Sequence, residues 1–404
     1  MSARTLRQNR EFMLLWSGQA LSSLGSQISG VAFPLLVLGL TGSPAKAGIV
    51  GFAAALPVPF LALPAGLLAD RVNRRQLMIS SNAIRGLTLA VIPLLLVTTG
   101  LPYVVIVIIA FVNGSAFVAS YVAERGVLRQ LVAPEDLSHA VARNESRIFA
   151  ALLAGPPIGG LLYGLSRAVP FVCDAVSYAA STVTLLLIRS DFQEERAASQ
   201  RGGVLDGMRW LWRRPFFRGC AVLFAGSNPV LAGLSLLLVV LARRHGASPA
   251  LIGVMLAVVA AGGLLGALLS PRLAPRLPPR AVLIAENWAI VAMLPLLLLA
   301  HNALLLGAIG AGAVLVTPVT NSIILSHQVA LAPDHLQGRV QAAFTAISSS
   351  AGWVGPLAIG LLLQDAGSSA TVVALTAWMT VLAIAVVTVP WFRQLPTAEP
   401  LTSA

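Results

Sequence analysis

The sequence predicts an all-α membrane protein in which twelve transmembrane helices form two bundles of six. Of its 404 residues, 57% are hydrophobic and only 10% are charged, whereas soluble globular proteins carry about 25% charged residues. Twelve apolar runs approach the roughly 20 residues that a helix needs to cross a bilayer. Four short sequence landmarks recur in the same order in the second half of the chain. These observations exclude an ordinary soluble enzyme.

Gly, Pro and clusters of charged residues separate the apolar runs, which we number as spans 1 to 12. They lie at 12–40, 46–69, 76–98, 102–123, 138–165, 169–188, 216–241, 249–270, 280–300, 303–327, 337–364 and 370–391. Proline also occurs inside some runs, as at Pro57 and Pro64 in span 2. Spanning helices tolerate such residues because neighbouring helices satisfy the freed backbone groups.

Lys and Arg residues are concentrated on one side of the predicted spans. With the N-terminus inside, 21 of the 27 lie in cytoplasmic segments or helix ends, four lie outside, and Arg85 and Arg147 lie within spans. This positive-inside bias predicts a multi-pass protein of the cell (inner or plasma) membrane with cytoplasmic N- and C-termini. The net charge of +12 is then a topology signal, and we expect no nucleic-acid partner.

The two halves of the chain resemble each other. SPAKAG at 43–48 matches SPALIG at 248–253, and GPPIGGLL at 155–162 matches GPLAIGLL at 355–362. Two further pairs of landmarks lie between them, and all four offsets fall between 199 and 205 residues. A duplicated six-helix unit in parallel repeats is typical of transporters whose substrate site lies between the halves near the bilayer midplane.

The longest polar stretch lies between the two halves. We predict an N-terminal six-helix bundle at 1–188, a cytoplasmic linker at 189–214 and a C-terminal six-helix bundle at 215–404. Trp210 and Trp212 lie beside arginines in the linker, which favours a short amphipathic helix at the membrane interface. A plain solvated loop is the alternative.

A glycine, an aspartate and a cluster of arginines lie at the end of span 2 and directly after it. Gly66 precedes Asp70 by four residues, and a basic cluster of Arg71, Arg74 and Arg75 follows Asp70. This pattern resembles the signature loop of the major facilitator superfamily. At the membrane edge, Asp70 can accept hydrogen bonds from a helix N-terminus or from arginine. We expect such a contact to lock one face of a transporter, although the arginines also serve as topology anchors.

Span 5 contains a cluster of small residues and proline. Gly155, Pro156, Gly159 and Gly160 resemble the motif associated with proton-coupled antiporters of this superfamily. Small residues allow close helix packing and proline bends a helix, which favours a seal between the halves. The alternative is structural, because Gly and Pro are frequent in any spanning helix.

Three further stretches narrow the resemblance. Residues 9–19, 170–178 and 206–215 are similar to the branch that contains macrolide-efflux proteins and the enterobactin exporter. The resemblance implies the pseudo-twofold major facilitator fold of six plus six helices and proton-coupled export.

Ionisable residues within membrane spans are energetically expensive and are therefore functional candidates. The proton-coupling candidates are Asp174, Glu145, Glu286 and Arg85, of which Asp174 and Glu145 come first. A carboxyl group in a low-dielectric cavity is more easily protonated, so it can load and release a proton. Glu145 can equally pair with a neighbouring arginine, and Asp174 and Glu286 can equally have packing roles.

The resemblance implies a cavity lined mainly by spans 1, 4, 7 and 10, with contributions from spans 2, 5, 8 and 11. The polar candidates for substrate contact are Gln19, Ser23, Gln27, Asn113, Ser120, Tyr121, Asn228, Asn321 and Gln341. A mostly apolar pocket with few hydrogen-bonding groups suits a bulky amphipathic molecule. We expect no cavity arginine that clamps an anion, although Arg85 can reach inward.

The motifs of other functional classes are missing from the sequence. It has no GxxxxGK[ST] phosphate loop and no HExxH motif, and Cys173 and Cys220 lie in apolar runs. We expect no enzyme activity, no cofactor and no metal. The sequence favours a monomeric exporter of a hydrophobic small molecule (drug, natural product or siderophore) that exchanges protons across the lipid bilayer. The alternatives are an uptake symporter or a non-transporting receptor.

Overall fold

A computed structural model describes residues 6, 8–133, 136–189, 204–334 and 336–393 of the chain. The side chains of residues 63, 70, 128, 129, 204 and 205 lie outside this description. Nearly all of the described residues are helical, and no β-strand occurs among them. Within these ranges, twelve helical segments are long and apolar enough to cross a membrane. The prediction of an all-α protein with twelve spans is confirmed.

Nine spans are single helices. They are Arg10–Thr41 (span 1), Arg74–Val97 (3), Tyr103–Leu131 (4), Leu137–Leu165 (5), Val169–Leu187 (6), Pro215–Arg244 (7), Pro249–Leu273 (8), Pro279–Leu296 (9) and Gly367–Thr388 (12). A linker helix, Val204–Arg213, precedes span 7.

Spans 2, 10 and 11 are each divided into two helices. The pairs are Pro44–Ala55 with Pro57–Arg71, Ala303–Val314 with Thr317–Leu331, and Gln337–Ser348 with Gly355–Asp365. The second helix of each pair has proline in its first turn. Proline lacks the N–H that would continue the preceding helix but is tolerated in a first turn, so each break falls just before a proline.

The contacts between residues divide the chain into two compact units. Unit 1 comprises Met1–Ala197 with Val239–Ala257, and unit 2 comprises Ala198–Leu238 with Val258–Ala404. The end of span 7 and the beginning of span 8 therefore belong to unit 1.

The packing of span 3 in unit 1 recurs for span 9 in unit 2. In unit 1, span 1 packs on spans 5 and 6, and span 3 packs on spans 4 and 6. In unit 2, span 9 packs on spans 10 and 12 in the same way. Glycines allow equivalent close approaches, because a Cβ at Gly114 would collide with the Ala54 carbonyl and one at Gly266 with the Leu315 carbonyl. The internal duplication thus extends to the backbone contacts between helices.

The linker helix packs on the first helix of span 11 within unit 2. Trp210 and Leu211 are buried, whereas Trp212 is exposed. Gly207 lies against the backbone of Arg339, and Asp206 lies 3.6 Å from the Arg339 guanidinium. The apolar face predicted for the membrane interface is largely covered by protein.

Two arginines at equivalent positions bind the carboxyl ends of neighbouring spans. Arg75 donates from Nε to the Leu185 carbonyl (2.8 Å) and from Nη2 to the Leu186 carbonyl (2.7 Å) at the end of span 6. Arg280 donates to the Val387 carbonyl (3.0 Å) at the end of span 12. Cations are favourable at helix C-termini because the last carbonyl groups lack helical partners.

We expect Arg75→Ala to lower the free energy of unfolding by about 1 kcal/mol, because two partly solvated charge-assisted hydrogen bonds are lost. The thermal unfolding midpoint of the purified protein would measure this effect. Arg272→Ala, at an exposed position, is the matched control. Equal midpoints for the two variants would contradict the capping role.

Candidate functional site

Unit 1 contains a cavity of about 790 Å³ between spans 1, 3, 4 and 5. Its lining includes seven of the residues predicted from the sequence, namely Gln19, Ser23, Gln27, Ser120, Tyr121, Arg85 and Glu145. Drug-sized ligands occupy cavities of roughly 300–1,000 Å³. The cavity is therefore large enough for a small organic molecule.

Two hydrogen bonds and one aromatic contact hold the Arg85 guanidinium at the wall of this cavity. Its Nε donates to Asn113 Oδ1 (3.2 Å) and its Nη2 donates to Ser26 Oγ (3.3 Å). Its Cζ lies 4.3 Å from the centre of the Tyr178 ring, which is a cation–π distance. Asn113, predicted to contact substrate, instead holds Arg85.

Asp174 is almost fully buried, with 1% of its surface exposed. Ser29 Oγ donates to its Oδ2, and Ser177 Oγ lies 3.3 Å from its Oδ1. Gly25 of span 1 allows this approach, because a Cβ there would collide with the carboxylate. The Tyr178 hydroxyl, one helical turn away, shares a 2.7 Å hydrogen bond with Ser26. Asp174 thus lies against span 1, and hydroxyl groups connect its helix to Arg85.

An ion pair in the cavity wall involves a residue that the sequence analysis missed. Arg147 Nη2 lies 2.9 Å from Glu124 Oε1, and the two side chains are 4% and 15% exposed. Glu124 was overlooked because the apolar run of span 4 ends at residue 123, whereas the helix continues to Leu131. The signal in the sequence that could have identified Glu124 is its position directly after the apolar run of span 4.

The cavity of unit 1 also holds more arginine than expected. Arg125 and Arg147 line it together with Arg85, against the two acids Glu124 and Glu145. The sequence suggested that Arg85 can reach inward, and the structure adds Arg125 and Arg147 to the lining.

Unit 2 contains a smaller cavity of about 290 Å³ between spans 7, 9, 10 and 11. Asn228, Asn321, Gln341 and Glu286, all predicted from the sequence, line it together. Asn228 Nδ2 donates to the Ser348 carbonyl (2.6 Å) where span 11 is interrupted. Predicted cavity residues of the two sequence halves thus fall into two cavities, one in each unit.

The small residues of span 5 lie at close helix contacts. A Cβ at Gly155 would collide with Gln27, and one at Gly159 with the Ile28 carbonyl, both in span 1. Elsewhere on span 5, a Cβ at Gly160 would collide with the Pro249 carbonyl at the beginning of span 8.

The contact with span 8 is reciprocal. A Cβ at Gly253 would collide with the Pro156 carbonyl. Two backbones therefore meet without intervening side chains at this point of unit 1, as small residues permit between spanning helices.

Comparison with known proteins decides the family. Residues 15–356 match the sequence profile of the Major Facilitator Superfamily. The chain belongs to the Major Facilitator Superfamily. It is 26% identical to the multidrug efflux pump Tap of Mycolicibacterium fortuitum over 93% of this chain and 94% of that protein. It is also 24% identical to macrolide efflux protein A of Streptococcus pyogenes over 44% of each chain.

The fold agrees with solved structures of the superfamily. The crystal structure of the nucleoside transporter NupG superposes with a TM-score of 0.72 at 14% sequence identity, covering 96% of this chain and 98% of that one. At this identity the likeness concerns the fold alone. The predicted twelve-helix fold and the resemblance to efflux proteins of the superfamily are both confirmed.

The superfamily signature loop lies at the end of span 2. Gly66 has open space around it, and Arg71 is exposed. The Arg74 guanidinium lies over Gly126 of span 4, and Arg75 binds the end of span 6. The side chain of Asp70 lies outside the described side chains. Its gating role stays a prediction.

Asn73 replaces the glycine that is common in this superfamily loop. Its Oδ1 accepts from the Arg75 backbone N–H (2.9 Å) and caps span 3. Asparagine is a favourable N-cap, so the substitution suits the local structure. Within the described ranges, no group of three or more His, Cys, Asp or Glu residues could hold a metal ion.

Proposed function

We propose that this chain is a secondary active exporter of hydrophobic or amphipathic small molecules that works by proton antiport and alternating access. The observation that carries the proposal is the unit 1 cavity, which is large enough for such a molecule and adjoins ionisable side chains within membrane spans. Such residues mark substrate and proton pathways. The similarity to named efflux pumps over nearly the whole chain supports export.

Asp174 is the proposed proton carrier. Its partners in the site, Ser29 and Ser177, are hydroxyl groups, and a hydroxyl group both donates and accepts hydrogen bonds. The same partners therefore serve the ionised and the protonated carboxyl group. Glu145 is the second candidate, because it lines the cavity and is exposed to it.

The proposed cycle uses the two sequence motifs as barriers on opposite sides of the membrane. The close contact of span 5 with the beginning of span 8 supports an outer seal. The loop from Gly66 to Arg75 would be the inner gate, with both chain termini in the cytoplasm of a bacterial cell and one chain as the working unit.

Everted membrane vesicles with an acidic interior test the proposal. A fluorescent ΔpH probe reports whether each compound of a panel of amphipathic drugs and natural products releases protons. We expect release with the wild type and at least a roughly tenfold slower release with Asp174→Asn, because the amide cannot carry a proton. Glu145→Gln is measured alongside.

Asp365→Asn is the matched control, because Asp365 is an exposed acid at the end of span 11. We expect it to behave as the wild type. Undiminished release in both Asp174→Asn and Glu145→Gln would contradict the assignment of the proton carrier. Failure of the whole panel to release protons from wild-type vesicles would favour uptake or a receptor role.

A further inference from the structure

Glu286 is a buried acid beside which the described residues place no opposite charge. Only 4% of its surface is exposed, and its Oε2 atom makes no hydrogen bond to any described residue. Thr317 lines the same cavity, and its Oγ1 atom likewise makes no hydrogen bond to any described residue. In the part of the chain that the structure describes, no Arg, Lys or His forms an ion pair with it.

A buried carboxylate in a membrane span normally has a partner, because removing a charge from water is costly unless it is neutralised. Glu286 has none within the described protein, yet it lines an open cavity. A cation that enters this cavity would therefore meet an acid that no described Arg, Lys or His pairs with.

The cavity around Glu286 has the character of a site for an organic cation. Rings of Phe224 and Phe344 lie in its lining, edge to face with their centres 6.0 Å apart, and aromatic rings attract cations. The amides of Asn321 and Gln341 line the same space and offer hydrogen-bond acceptors. The lining contains no Arg, Lys or His.

The backbone around the cavity is interrupted on two sides. Span 10 restarts at Thr317, which lines the cavity together with Glu286. Span 11 is interrupted after Ser348, whose carbonyl accepts from Asn228. Interrupted helices at membrane depth are tolerated where they are buried in protein or line a cavity, and they mark binding sites in transporters.

We propose that the unit 2 cavity binds the protonated amine group of an exported molecule, with Glu286 as its counter-ion. This inference rests on the proposed export function and names the substrate class as amphipathic amines. A proton alone would need neither a cavity of about 290 Å³ nor aromatic walls.

Binding to the full-length protein, purified in amphipol, tests the site. The probe is N,N-dimethylbenzylamine, which is cationic at neutral pH, and isobutylbenzene is its neutral analogue of the same shape. In equilibrium dialysis we expect the wild type to bind the amine at least about tenfold more tightly than the hydrocarbon. Only the amine can form a buried ionic hydrogen bond with Glu286. Glu286→Gln should lose this preference, whereas Asp365→Asn should keep it.

Equal affinity for the two probes in the wild type would overturn the proposal, and so would an unchanged preference in Glu286→Gln. If Glu286→Gln does not fold, Glu286→Asp replaces it, because the shorter acid keeps the charge but withdraws it from the cavity. Its affinity for the amine should lie below that of the wild type, and an unchanged affinity would overturn the site.

The binding test separates this inference from the proposed function. Amine binding that depends on Glu286, in a protein that fails the vesicle assay, supports the site and contradicts proton antiport. Proton release in the vesicles with an amine preference that survives Glu286→Gln contradicts the site and leaves antiport supported.

Discussion

Gly160→Val is expected to destabilise the protein by roughly 3 kcal/mol, because a side chain forced into a closely packed contact causes this order of strain. The new Cβ would meet the Pro249 carbonyl and the Cα of Gly253. Both are backbone atoms, which cannot move aside as a flexible side chain can. The unfolding midpoint of the purified protein in detergent measures the loss, and we also expect transport to fall.

Gly164→Val is the control for this substitution. Gly164 lies in the same helix, one turn later, and a Cβ there meets no atom within 4 Å. The comparison removes the intrinsic difference in helix propensity between glycine and valine. Similar midpoints for the two variants would show that the contact with span 8 is not close in the folded protein.

Gly253 provides an independent check from the other side of the contact. In Gly253→Val the new Cβ would collide with the Pro156 carbonyl. This substitution should destabilise the protein by a similar amount. Because the two substitutions disturb one contact, the loss in the double variant should be smaller than the sum of the single losses. Fully additive losses would contradict a shared contact.

Arg147→Met is expected to lower the free energy of unfolding by about 3 kcal/mol, at the lower end of the range for a broken buried ion pair. The substitution leaves the carboxylate of Glu124 without its partner, and that side chain is only 15% exposed. Chemical or thermal unfolding of the purified protein measures the change. Arg167→Met, at an exposed position after span 5, should have little effect.

A second substitution separates charge from packing at this pair. Adding Glu124→Gln to Arg147→Met removes the unpaired charge, so most of the lost stability should return. Methionine and glutamine preserve much of the volume of the two side chains, which limits cavity effects. If the double variant is as unstable as Arg147→Met alone, the cost lies in packing and the ion pair contributes little.

The sequence predicted the twelve spans and the superfamily because both depend on local patterns. An apolar run of sufficient length crosses a membrane whatever its neighbours are, and the signature loop and the span 5 motif are each contiguous in the chain. The breaks in spans 10 and 11 were missed, although Pro318 and Pro356 mark them. Inside a membrane run, proline alone does not distinguish a kink from a break.

The identity of the ionisable residues in the spans could likewise be taken from the sequence, but their partners could not. Asp174 meets Ser29, which is 145 residues away, and Arg147 meets Glu124 rather than an acid on its own helix. Asn113, expected to contact substrate, holds Arg85 instead.

The sequence by itself thus determined the membrane location, the number of spans, the superfamily and the set of candidate residues, since composition and run length are local properties. Only the tertiary structure decided which of those residues share a cavity, which are paired, and which buried acid has no ion-pair partner among the described residues. These features depend on which face each helix turns to its neighbours, and helix packing between distant segments sets that face.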